Sequence, residues 1–98
     1  MTSKQRAYLR SLSNGIDAIF QVGKNGVSEI LIKQLDDALE ARELIKIKVL
    51  ENAPEDRKQI AEEVSLATNS VLVQIMGNKI TLYRQKKDKE KQKIILPK

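Results

Sequence analysis

Two glycines three residues apart bracket a lysine and an asparagine in the stretch Gln21-Val22-Gly23-Lys24-Asn25-Gly26-Val27-Ser28-Glu29. Such a turn has chemistry available to it. Glycine lacks a Cβ, so its main chain can take positive φ and approach a ligand closely. The residues that follow have a helical pattern, and the first amides of a helix point outward with a partial positive charge of about half a unit. Lys24 adds an ammonium group beside them. A phosphate could be seated there by main-chain N–H groups. Glu29, in the first helical turn, opposes an anion unless it points sideways. Neither Gly-x-x-x-x-Gly-Lys-Ser/Thr nor Gly-x-Gly-x-x-Gly occurs, so a nucleotide-binding loop is excluded. On these residues alone, a plain strand-to-helix bend is the simpler account.

Other cations could neutralise neighbouring phosphates: Arg6 and Arg10 on the polar side of the first helical segment, Lys46 and Lys48 on a strand, and Arg84 after the last strand. Tyr83 could stack on a base or ribose, as aromatic platforms do for single-stranded RNA. The bland alternatives are a solvated sheet face for the lysines and a core or rim filler for the tyrosine. There is no cysteine and no histidine, which removes thiolate chemistry, the commonest zinc ligand and the usual neutral-pH proton shuttle. No catalytic residue, metal ligand or cofactor is expected. The carboxylates fall mostly on exposed helical faces, where nothing would shift their pKa toward catalysis.

The elements that would position these groups follow from periodicity. Between Ser3 and Ser13, Tyr8, Leu9 and Leu12 share one side of a helix, and Asn14-Gly15 stops it. Ile16 to Val22 alternates as a strand buried on both faces. From Ser28 to Arg42, the stripe Leu31, Ile32, Leu35, Ala38 and Leu39 marks a helix capped by Ser28. Glu43 to Leu50 is a strand, with Ile45, Ile47 and Val49 on one face and Leu44, Lys46 and Lys48 on the other. Asn52 to Glu55 has the spacing of a helix start, with Ile60, Ala61, Val64 and Ala67 on the buried side. SVLVQIM and KITLYR are strands joined by Gly77-Asn78. The order α-β-α-β-α-β-β predicts an α/β (α+β) single domain. Its four-stranded mixed sheet has parallel neighbours from two strand–helix–strand units and helices packed on it.

The chain has 98 residues and a formal net charge of +5. Residues 85–98 hold six lysines against Asp88 and Glu90, so most of that charge lies in a tail expected to be flexible, while residues 1–84 form the domain. Ile94-Ile95-Leu96 is unusually apolar for such a tail and suits docking on the domain or on a partner. No membrane-length apolar stretch and no signal-peptide core is present, so a soluble cytoplasmic protein is expected, a monomer by default.

Taken in order, Tyr8-Leu9-Arg10, Gln21 to Ser28, Ala38-Leu39, Glu43 to Lys48, Val73 to Gly77 and Leu82-Tyr83-Arg84 resemble the CRM domain, in its stand-alone bacterial YhbY-like form. The resemblance covers roughly residues 3–84. It implies a fold like the C-terminal domain of bacterial translation initiation factor three. It also implies RNA binding without catalysis, through a Gly-x-x-Gly turn likened to that of KH domains. Stand-alone members are associated with large ribosomal subunit precursors, and plant relatives with intron splicing. Mapped here, the RNA-binding turn is Gly23, Lys24, Asn25 and Gly26, with Lys46, Lys48 and Arg84 as basic neighbours. Where many relatives carry histidines this chain has Ala41-Arg42, and Ala18 stands where they carry a proline. The leading expectation is therefore a protein that binds ribosomal RNA during large-subunit assembly, with no membrane or small-molecule partner. The alternative is a protein-interaction adaptor on ribonucleoprotein particles, using its acidic helix faces or apolar tail segment.

Overall fold

The computed structural model describes residues 1–98. The elements are α1 (Ser3–Ser13), β1 (Phe20–Val22), α2 (Glu29–Arg42), β2 (Leu44–Val49), α3 (Arg57–Thr68), β3 (Val71–Met76) and β4 (Lys79–Tyr83), followed by a short 3-10 turn at Lys89–Lys91. This is the expected α+β order. No helix is long and apolar enough to cross a membrane.

Each helix begins where a side chain can accept an orphan amide. Thr2 and Gln5 form a reciprocal capping box at α1. Ser28 Oγ accepts from the Leu31 amide at α2, at 3.1 Å. The third helix starts later than the spacing predicts. Asp56, whose carboxylate accepts from the Gln59 amide at 2.9 Å, is the cap. Pro54 lies ahead of it, in the connecting loop.

The strands run in the order β1-β2-β4-β3. β1 and β2 are parallel, and β4 is antiparallel to both β2 and β3. The expected parallel neighbours therefore occur once only: the β3–β4 hairpin folds back and inserts β4 between β2 and β3. β1 is also shorter than the apolar alternation implies. Ile16 and Ile19 lie outside it, packed against the two apolar clusters described next.

Strand alternation sorts the sheet into two faces. Ile45, Ile47, Ile80 and Leu82 pack beneath Leu35 and Leu39 of α2 and Ile60 and Val64 of α3, forming the main core. On the other face Leu9 of α1 meets Leu44, Val73 and Tyr83. Only one helix covers this second face, and Leu9 and Ser13 are its buried residues. A bulge between Leu72 and Gln74 interrupts the register of the edge strand β3. The Arg6 guanidinium donates to the carbonyls of Leu72 and Val73 at 2.6 and 3.2 Å, tying α1 to that bulge.

α2 ends on Glu43, whose φ of 67° is in the left-handed region. Glycine or asparagine is usual at such a position, and another residue there costs about 1–2 kcal/mol. The Glu43 side chain is fully buried.

Candidate nucleic-acid interface

Gly23 to Gly26 is a closed turn: the Gly26 amide donates to the Gly23 carbonyl at 2.9 Å. Gly26 alone of the two takes positive φ, +63°, and a Cβ there would stand 3.0 Å from Pro54 Cγ. At Gly23 a Cβ would meet Leu50 and Asn52 at 3.5 and 3.6 Å, ordinary contact distances. The two glycines thus differ. One is demanded by backbone conformation and by a proline brace, and the other is not. A bulky residue at Gly26 would disturb the loop as well as any ligand.

The turn and the first residues of α2 border an open cleft of about 530 Å³. Gln21, Lys24, Asn25, Ser28, Gln34 and Asn52 supply its polar side chains, and no carboxylate lines it. Glu29, in the first turn of α2, lies outside the lining. Helix geometry leaves the Glu29 and Ile30 amides without intrahelical acceptors, while Ser28 satisfies Leu31. The bend is accessible, with Lys24 and Asn25 exposed at its tip.

β1 leads directly into this turn, and its register continues the polar surface across the sheet. Gln21 pairs with Lys48, Lys48 with Lys79, and Lys79 with Met76. The neighbouring row sets Lys46 opposite Thr81, and Thr81 opposite Gln74. Both rows lie on the face that α1 covers only in part. Lys46 is tethered at the covered boundary, where its ammonium donates to the Ser13 carbonyl at the end of α1 at 2.6 Å. Lys48 and Lys79 face each other directly, an arrangement that disfavours the folded chain when nothing neutralises it. Neither is in an ion pair; those of the chain join Lys33 to Asp37, and Arg84 to Asp36 and Glu40. Lys79 was not singled out from the sequence. Its signal is the antiparallel register with Lys48, which the hairpin order alone does not specify.

Three expected contact residues, Tyr83, Arg84 and Arg6, are engaged within the fold. Tyr83 is 3% exposed, inside the cluster beneath α1, so it offers no ring for base stacking. Burial, and then the Glu43 carboxylate, push its phenol above the ordinary value of 10.0. Its hydroxyl is buried without a hydrogen-bond partner. Arg84 sits at the other end of the sheet from the glycine turn. There it donates to the Asp36 carboxylate at 2.5 Å, the Asp36 carbonyl at 2.9 Å and the Thr68 carbonyl at 2.8 Å. This hydrogen-bonded guanidinium holds the Asp36 carboxyl below its usual 3.8. Arg6 is occupied at the β3 bulge. Arg10 is exposed on α1. Gly23, Lys24, Asn25 and Gly26 are thus brought together, with Lys46 and Lys48 on the adjoining sheet face.

A family model described as the CRS1 / YhbY (CRM) domain matches residues 1–84. The "Probable RNA-binding protein YqeI" of Bacillus subtilis is 50% identical over 97 residues, which span 99% of each chain. An "RNA-binding protein" of Haemophilus influenzae is 31% identical over 97 residues, 99% of this chain and 95% of that one. The solution structure of the hypothetical protein SAV1595 from Staphylococcus aureus superposes with a TM-score of 0.79 at 52% identity, covering 99% of both chains.

Proposed function

The chain belongs to the CRS1 / YhbY (CRM) domain family, and we propose that it binds RNA through the glycine turn and the open half of its sheet. The relatives named above as RNA-binding proteins support this reading. The observation that carries it is the acid-free cleft at the start of α2 running into a cross-strand row with two unneutralised lysines. A phosphate in the cleft would accept from the first amides of α2 and from Lys24. Further along the same strand of RNA, phosphates would lie over Lys48 and Lys79, relieving their mutual repulsion. Contacts of this kind position a backbone without reading bases, so preference for RNA shape over sequence follows. No step of this account is catalytic.

The RNA we propose is that of large ribosomal subunit precursors, met in the cytoplasm during assembly. The support is the family resemblance carried by Gly23 to Gly26 and Glu43 to Lys48. The test is titration of a large-subunit precursor transcript, and of an unrelated structured RNA of equal length, across a salt series. The Lys24→Gln/Lys48→Gln/Lys79→Gln protein should bind more weakly, with a salt slope shallower by about 0.7–0.9 for each lysine lost. Equal affinity and slope in the variant would remove this face from consideration. Equal binding of both RNAs would remove the ribosomal assignment. Association with ribosomal particles that survives nuclease would favour a protein partner.

A further inference from the structure

The fully buried Glu43 has a task that the proposed RNA site leaves unexplained. Its carboxylate accepts from the main-chain amides of Lys86 at 2.9 Å, Lys93 at 2.5 Å and Ile94 at 2.9 Å. A buried carboxylate is tolerated only when such donors satisfy it, and all three come from the segment after β4. Gln92 closes the intervening loop, donating to the Lys86 carbonyl at 3.0 Å and accepting from Gln85 at 3.1 Å. Beyond it, Ile94 and Leu96 pack against the cluster that Leu9 and Tyr83 belong to. Gln5, in the first turn of α1, donates to the Pro97 carbonyl at 3.1 Å. The segment expected to be flexible is therefore laid along α1, from Ile94, which lines a groove with Leu12, to Pro97 at its hydrogen bond with Gln5.

This anchoring uses main-chain atoms, apolar side chains and the Gln92 amide, and it engages no ammonium group of the segment. Lys89, Lys91 and Lys93 are exposed and outside every ion pair, whereas Lys87 shares a cleft with Asp36, Asp37 and Glu40, and Asp88 and Glu90 are the exposed acids of the segment. Arg10 and Lys4 of α1 are exposed on the helix beside them. We infer that the clamped segment 85–98 is a second, positioned phosphate-binding surface for RNA, with Glu43 as its positioning residue. It rests on the RNA-binding reading and extends it to the end of the sheet away from the glycine turn.

Glu43→Gln keeps one carbonyl acceptor and removes one negative charge. Electrostatics alone would then tighten binding to a polyanion, whereas loss of positioning weakens it, so the sign discriminates. The expected result with the large-subunit precursor transcript is faster hydrogen exchange at Lys93 and Ile94, with affinity falling about three- to tenfold at low salt. Unchanged or tighter binding by a folded variant whose tail amides have lost protection would overturn the inference. The Lys89→Gln/Lys91→Gln/Lys93→Gln protein keeps every main-chain contact and decides the matter if Glu43→Gln does not fold. Its salt slope should be shallower by about two to three with Tm unchanged, and a parental slope overturns the proposal. If the parent protein binds neither this transcript nor other RNA, both readings fail; if only these variants match the parent, this one alone fails.

Discussion

Lys48 and Arg84 belong to opposite ends of one sheet, and the chain treats their charges in opposite ways. Arg84, with its side chain 18% exposed, is surrounded by acceptors from α2 and the end of α3. Lys48 faces another lysine across the ladder and has no acidic partner. A cation with satisfied acceptors holds a fold together. One left against its own kind lowers stability until an anion arrives. The basic residues in the sequence do not announce which kind each is, and their partners do.

The comparison breaks most visibly at Arg84. Arg84→Ala leaves the Asp36 and Thr68 carbonyls and two carboxylates without their donor, and should cost about 2–3 kcal/mol in denaturant unfolding. RNA affinity should stay within about twofold of the parent. A large affinity loss without destabilisation would mean that Arg84 is a contact after all. The same pair gives a pH signature. The Asp36 pKa is lowered in the folded protein, so its contribution is present above the ordinary value of 3.8 and disappears as pH falls through the folded value. Arg84→Ala should therefore flatten the loss of stability on acidification.

Gly26→Ala should cost about 1–2 kcal/mol, because positive φ and the Pro54 contact both resist a side chain. Gly23→Ala should fall within about 0.5 kcal/mol of the parent. Equal costs, measured by thermal unfolding, would contradict the asymmetry of the turn. A smaller effect carries the sharper contrast. Lys48→Glu replaces a like-charged pair by an opposite one and should stabilise the fold by about 0.2–1 kcal/mol while weakening RNA binding more than tenfold. Stability and binding moving together would refute the contrast between Lys48 and Arg84.

Smallest at neutral pH is the effect at Tyr83. Its raised phenol pKa gives a contribution complete below the ordinary value of 10.0 and lost as pH climbs through the folded value. Tyr83→Phe, which also removes the unpartnered hydroxyl, should match the parent at neutral pH and outlast it in alkali. Parallel stability curves up to strongly alkaline pH would argue against the buried placement.

Much of this was legible in the residues. The helices at Ser28 to Arg42 and Ile60 to Val64 follow from their apolar spacing, and the turn at Gly23 to Gly26 from its glycines. What periodicity could not supply was which surface is covered. Tyr83 alternates onto the same face as Lys48, and only the placement of α1 and the tail makes one buried and the other open. Arg6 looked like a solvent-facing residue because helical spacing groups it away from Tyr8. In the structure α1 presses down on Leu9 and Ser13, with Arg6 at the border of that contact. The insertion of β4 was equally hidden, since a hairpin signal fixes the turn and not which strand lies beside β2. Glu43 gave no sign of its clamp, because its three donors are main-chain amides and carry no side-chain signature.

The bulge in β3 also bears on how copies of this chain avoid one another. β3 is the sheet's outer strand, and an uninterrupted row of free carbonyls there would invite a second molecule to add its own strand. The bulge breaks the row, and the arginine from α1 already satisfies the Leu72 and Val73 carbonyls at that point. Both features count against strand addition at this edge, and the opposite outer strand offers only three residues to pair with.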